Sequence, residues 1–377
     1  MKNTNKKLLT MAFFCVLVWA SACMKEDKAE CDIFCPSAGA RAIVTNSDFT
    51  LGSVSILYGD PPSSVCTPCV RVGGDTAIRV LGSRVYVINR YGEDNIQVLA
   101  PENSFETALQ FSTGNGTNPQ DIVVVSADKA FVSRLQDAKL LVVNPSTGAI
   151  LAEVDLSPWA DGDGVPEAAR MLLIENRLFV ALQRLDTTNW FTPTDKSSIA
   201  IINTENYDVV DVIDLETTNP VTRLVYDSAD NKIYVGCAGF YQSFGFPTPD
   251  GGVETVTVNI TTDTYTPDGL VINEATLGGD VNAIAVVNAT HAYALISDAM
   301  FRNYLVRFNP TAGTVDNTLC VSDSYMPDMI LDSHGYLYLA DRTLKNHGIR
   351  IFDTGTDKPA GAPLGTPIPP YALDVFP

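Results

Sequence analysis

The sequence predicts an all-β chain closed into a seven-bladed β-propeller, and three observations predict it. A unit of four short apolar strands returns at roughly 40–50-residue spacing, the sign of a repeat architecture. Tight turns rich in Asp, Asn, Ser, Gly and Pro separate the strands, as hairpins require. The first unit lacks its opening strand, while a spare strand at 371–376 ends the chain. Pairing the two removes the open sheet edge that a linear stack would expose.

Residues 1–22 carry Lys2, Lys6 and Lys7, an apolar run over 8–20, and the small residues Ala20, Ser21 and Ala22 ahead of Cys23. This segment resembles a bacterial lipoprotein signal, which implies cleavage before Cys23 and diacylglycerol on its thiol. An ordinary secretory signal or an uncleaved anchor is the alternative, although the apolar run is shorter than the roughly 20 residues a span needs. Residues 23–40 then read as the lipidated cysteine and a charged tether, and residues 41–377 as the propeller.

Six complete units start near residues 76, 120, 167, 221, 281 and 328. The clearest has strands at 122–125, 130–132, 140–143 and 150–154, with the turn Asn144-Pro145-Ser146-Thr147-Gly148 before the last. In the incomplete first unit, 41–45, 53–57 and 69–72 serve as its second, third and fourth strands. Asn118-Pro119-Gln120-Asp121 through Asn144-Pro145 resembles a YVTN repeat, and Pro327-Asp328 with the stretch 332–338 resembles an NHL repeat of bacterial β-propellers. The resemblance covers 41–377 and implies architecture. Such families hold binding scaffolds and, among their relatives, lactonases, so the fold by itself decides no function.

Composition excludes some partners. The 44 Asp and Glu outnumber 25 Lys and Arg, a net charge of −19, and removal of 1–22 takes away three lysines and no acid, leaving −22. Nucleic acid is excluded, because phosphate binding needs a basic surface. An anionic membrane would repel such a body, so the lipid must hold it there. The address implied is the bacterial envelope, as an outer-membrane lipoprotein facing the periplasm or the outside, and a monomer is expected.

Connectivity picks the functional face. In a four-stranded antiparallel blade with strands A to D, the A–B and C–D turns share one face, and the B–C loops and D–A crossovers share the other. The first set is minimal; the second includes 183–198 and 238–254, rich in aromatics such as Trp190, Phe191, Tyr241 and Phe244. Long loops on a rigid scaffold are where binding concentrates. Arg90, Arg134, Arg184 and Arg342 each follow a strand B, so a basic ring is expected at the central mouth, with Gln183 beside it. Guanidinium groups there would suit a carboxylate or phosphate ligand. The alternative is that each arginine pairs with a neighbouring acid and staples blades. The crossover at 158–167 alternates Asp161 and Asp163 with glycines, an oxygen-rich pattern compatible with Ca²⁺, although it is no EF-hand.

Six cysteines follow Cys23. Cys31, Cys35, Cys66 and Cys69 are expected to form structural disulfides in an oxidising compartment, with a zinc site or redox pair as alternatives. Cys237 and Cys320 are expected to be separate buried thiols. The chain has no GxGxxG, phosphate-binding loop, HExxH or GxSxG motif, and its three histidines fall in different parts of the repeat. The expectation is a binding scaffold for a protein, glycan or small anion. The alternative is a metal-dependent hydrolase of the lactonase kind at the channel mouth.

Overall fold

The structure, a computed structural model, describes residues 31, 32, 34–189, 191–241 and 250–377. The leader, Cys23, Trp190 and Phe244 lie outside the described residues. Seven antiparallel sheets follow one another as propeller blades. Their innermost strands, A, are Pro370–Val375 in blade 1, then Thr76–Leu81, Pro119–Ser126, Ala168–Ile174, Val225–Asp227, Asp280–Asn288 and Met329–Leu331 in blades 2 to 7. The C-terminal strand pairs antiparallel with Ala40–Ser47, Val44 opposite Leu373, and closes the ring as the sequence predicts.

Blade 1 differs from expectation at its outer strand. Strand D is split into Pro62–Cys66 and Arg71–Val72, both on Gly52–Gly59, so the predicted 69–72 is only its second piece. The cause is covalent. Disulfides Cys31–Cys69 and Cys35–Cys66 draw the intervening turn out of the ladder toward the N-terminal segment. There the Asp32 N–H donates to Thr67 O at 2.6 Å, and Asp32 Oδ2 accepts from Thr67 N–H at 2.8 Å. Cys237 and Cys320 are free and buried.

Burial follows position in the blade. Strand B residues are buried on both sides, as in Arg177–Leu182, because each blade stacks one face on each neighbour. Strand D residues, as in Ile150–Asp155, are largely exposed at the rim. Accordingly the core is divided among seven apolar clusters of described residues, each drawn from two adjacent blades. Phe131 and Val142 of blade 3 pack with Val180 and Ile202 of blade 4, for example. The last cluster joins Tyr338 and Ile351 of blade 7 to Val44, Leu57 and Leu373 of blade 1. Turn chemistry matches the reading: Gly148 has φ +74°, and its N–H bonds to Asn144 O at 2.8 Å. A Cβ on Gly148 would lie 2.5 Å from Phe111 of the preceding blade.

Candidate functional site

Each strand A enters from the long-loop face and exits at the short-turn face. Early residues of these strands therefore face the upper mouth of the channel and later ones the lower mouth. A layer of paired charges separates the two. Arg79 Nε donates to Asp121 Oδ1 at 2.6 Å, and Asp121 also accepts the Met171 N–H at 2.9 Å. Arg223 reaches across from blade 5 to blade 1, with Nη1 3.3 Å from Asp374 Oδ1, and donates to Leu373 O. Its Nη2 lies 3.8 Å from Asp328 Oδ2, which accepts the Leu373 N–H at 2.8 Å. Burial raises the Asp121 carboxyl, but the charge and hydrogen bond of Arg79, the charge of Arg170 and the Met171 N–H together hold the group below its ordinary value.

Above this layer lies a cavity of about 280 Å³. Its lining includes Arg90, Gln120, Arg170, Tyr325, Asp328 and Tyr371. Below the layer a second cavity of about 330 Å³ opens to the short-turn face, walled largely by Val225, Ile284, Val286 and Leu331.

The two arginines of the upper cavity differ. Arg90 is committed: Nε donates to Asp75 Oδ1 at 2.9 Å, Nη1 to Gln120 Oε1 at 3.3 Å and Nη2 to the Tyr371 hydroxyl at 3.0 Å. Arg170 makes one contact at the edge of hydrogen-bond range, Nη1 to Gln120 O at 3.3 Å. Among the described residues no carboxylate oxygen is within 4.0 Å of its guanidinium. Burial lowers the Arg170 pKa to about 10, Asp121 opposing and the charges of Arg223, Arg90 and Arg79 reinforcing the shift. It stays cationic at neutral pH beside three arginines that are each paired with a carboxylate, so Arg170 is the guanidinium left for an entering anion.

Local structure aims this side chain. The pairing of strands A and B in blade 4 slips between Ala168 and Met171, and Arg170 sits in the resulting bulge. An extra residue changes which face its neighbours present, a means by which strands re-aim side chains.

Of the residues singled out from sequence, Arg90, Gln183, Phe191 and Tyr241 line the upper cavity. Arg134, Arg184 and Arg342 are not among its lining residues. The expected single repeat position does not exist. The Arg90 and Arg342 N–H groups donate to the equivalent carbonyls Asp75 O and Tyr325 O, whereas in blades 3 and 4 Leu135 and Gln183 make that bond. Arg134 is thus one residue early and Arg184 one residue late, and in extended chain one residue turns a side chain to the other side. Arg134 donates to Lys139 O and Thr113 O at 2.9 and 3.2 Å and pairs with Asp137 and Glu153. Arg184 donates to Trp159 O and Lys196 O at 3.0 and 2.8 Å. Arg342 holds Ser47 O at 2.9 Å and stacks over Phe49, 4.4 Å from the ring centre.

Asp161 and Asp163 sit on the crossover into blade 4. Asp161 Oδ1 accepts the Asp163 N–H at 3.2 Å, and Asp163 Oδ1 accepts that of Val165 at 2.8 Å. Among the described residues the one grouping of donor atoms close enough to share an ion is Asp32, Cys35 and Cys66, whose sulfurs are joined in a disulfide. Beneath the crossover Glu167 is fully buried, and its carboxylate accepts the Leu185 N–H at 2.8 Å, which fixes the cavity wall at 183–185.

Sequence reasoning missed Arg79, Arg170 and Arg223. A signal was present for two of them: Arg79 and Arg170 each interrupt an otherwise apolar or small-residue strand A, which is what a channel-facing position looks like, whereas Arg223 stands just before strand A of blade 5.

No protein-family model matches the chain, and no curated protein matches it. Solved structures do. A candidate 6-phosphogluconolactonase from Bacteroides fragilis aligns over 90% of this chain and 99% of its own, with 12% identity and a TM-score of 0.57. A functionally unknown protein from Desulfotomaculum acetoxidans aligns over 89% and 98%, with 10% identity and a TM-score of 0.58. The dihydro-heme d1 dehydrogenase NirN aligns over 92% and 76%, with 12% identity and a TM-score of 0.55. Likeness at this identity carries the seven-bladed fold and nothing finer.

Proposed function

We propose that this chain is an envelope lipoprotein of the YVTN and NHL propeller kind that binds its ligand through an anionic group, carboxylate or phosphate, seated on Arg170 in the upper cavity. The observation that carries this reading is the cation itself: a half-buried guanidinium surrounded by three others, without a carboxylate partner among the described residues. The two disulfides accord with an oxidising, extracytoplasmic compartment. They also fasten Cys31 and Cys35 to the outer strand of blade 1, so a lipid on Cys23 would tether the disc by its rim through at most about 28 Å of chain.

The binding reading ranks above the hydrolase one for a specific reason. Asp328, a carboxylate lining the cavity, accepts the N–H groups of Met329 and Leu373 and faces Arg223, so it is already committed. Inorganic phosphate added at constant ionic strength should raise the melting temperature of the wild type saturably. Arg170→Gln should lose that response while its own melting temperature is unchanged or higher. A response equal in both proteins overturns the assignment.

A further inference from the structure

The apolar exposure of this molecule is lopsided. Its most exposed large apolar side chains are Leu344 at 87%, Met300 at 75% and Tyr91 at 72%. All three lie in B–C loops, in blades 7, 6 and 2. Phe49 and Phe191, also exposed, lie in those of blades 1 and 4. An apolar rim thus encircles the mouth of the upper cavity from five of the seven blades. Single exposed apolar residues are ordinary, but their concentration on one face is the mark of an interaction surface. Aromatic residues and methionine are the types enriched at such surfaces.

The rim and the cavity differ in chemistry, and together they specify an occupant. A volume of about 280 Å³ lies at the lower end of pockets that enclose whole small molecules, roughly 300–1,000 Å³. The cavity admits an end group, and the remainder of the ligand must rest on the rim. A free sugar acid or an oligosaccharide would lay hydroxyl groups against Met300 and Leu344, which offer them no side-chain hydrogen bond. A peptide with apolar side chains beside a carboxylate satisfies both regions.

We infer that the long-loop face docks a protein partner, which inserts a carboxylate, from Asp, Glu or a chain terminus, onto Arg170 and lays its flanking apolar side chains on the rim formed by Tyr91, Met300 and Leu344. The inference rests on the anion-binding reading above and names the partner of that same site. Phe49 and Tyr371 pack edge to face, and Arg342 lies against both at 4.4 and 5.6 Å from their ring centres, which gives the rim near blade 1 a fixed shape before the partner arrives. Such preorganisation lowers the ordering cost of association.

The test uses the full chain and a display library of random dodecapeptides with free C-terminal carboxylates. Selected peptides are expected to carry a carboxylate beside apolar residues. Their affinity should fall at least tenfold on Arg170→Gln and at least tenfold on the triple change Tyr91→Ser, Met300→Ser, Leu344→Ser. The triple variant should keep the phosphate response of the wild type, which shows that the cavity is intact. Selection of no binders, or of binders indifferent to the triple change, overturns the protein partner; if phosphate still binds through Arg170, the anion-binding reading survives it. Binders that need the rim but not Arg170 overturn the insertion of a carboxylate.

Discussion

Arg170 and Glu167 stand three residues apart, and burial acts on both in the direction that disfavours charge. For Glu167 burial comes first; it and the charges of Asp163 and Asp161 outweigh the Leu185 N–H bond and push the carboxyl up to about 8. Glu274 is pushed up to about 8 as well, by burial and then by Asp280 and Asp250. An unfolded glutamate titrates near 4.3. Between that value and about 8 the folded chain holds protons that the unfolded chain has released, so stability falls as pH rises through the window. The wild-type melting temperature should therefore decline from pH 5 to pH 9. The double variant Glu167→Gln, Glu274→Gln should flatten the decline and melt higher than the wild type at pH 9. Scanning fluorimetry across that range checks it, and parallel curves for the two proteins would refute it.

At the scale of elements, the N-terminal segment shows covalent bonds overriding strand pairing. The described residues among 31–36 form no strand of their own, yet two disulfides spanning 38 and 31 residues fix Cys31 and Cys35 against blade 1. Because the two loops overlap, their effects on unfolded-chain entropy are not additive. Removing one bond by Cys35→Ser with Cys66→Ser should cost about 2–4 kcal/mol, read as a lower urea midpoint with little change in slope. That all four cysteines serve structural bonds was legible from the sequence, since they cluster in one segment behind a leader that resembles an export signal. Which cysteine joins which was not, because spacing permits three pairings and only the path of the chain around Thr67 selects one.

For the whole molecule, the seven apolar clusters make closure a stability question. Blade 1 contributes to the clusters on both sides of the seam, and the C-terminal strand supplies Ala372 to one and Leu373 to the other. Arg223 and Asp328 grip the same strand from across the channel. Ending the chain at Pro369 removes a ladder, apolar contacts in two clusters and two of the partners of the half-buried Arg223. The shortened protein should lose cooperative unfolding and bind a hydrophobic dye, whereas the full chain should do neither. A truncated protein that melts cooperatively near the wild-type temperature would show that the ring does not depend on this seam.

The sequence by itself determined the blade count, the closure, the face with long loops and the set of disulfide cysteines. Each of these follows from local pattern: apolar runs, turn residues and spacing recur, and a short strand needs only its neighbours to be recognised. Tertiary structure alone decided which of the arginines around the ends of strands B face the channel. A side chain's direction in a strand depends on parity, and one bulge at Arg170 or a one-residue offset at Arg134 and Arg184 reverses it without changing the apolar pattern. The same holds for the charged layer, where Arg223 meets Asp374 across 151 residues. Pairing at that distance is set by closing the ring, and no local signal records it.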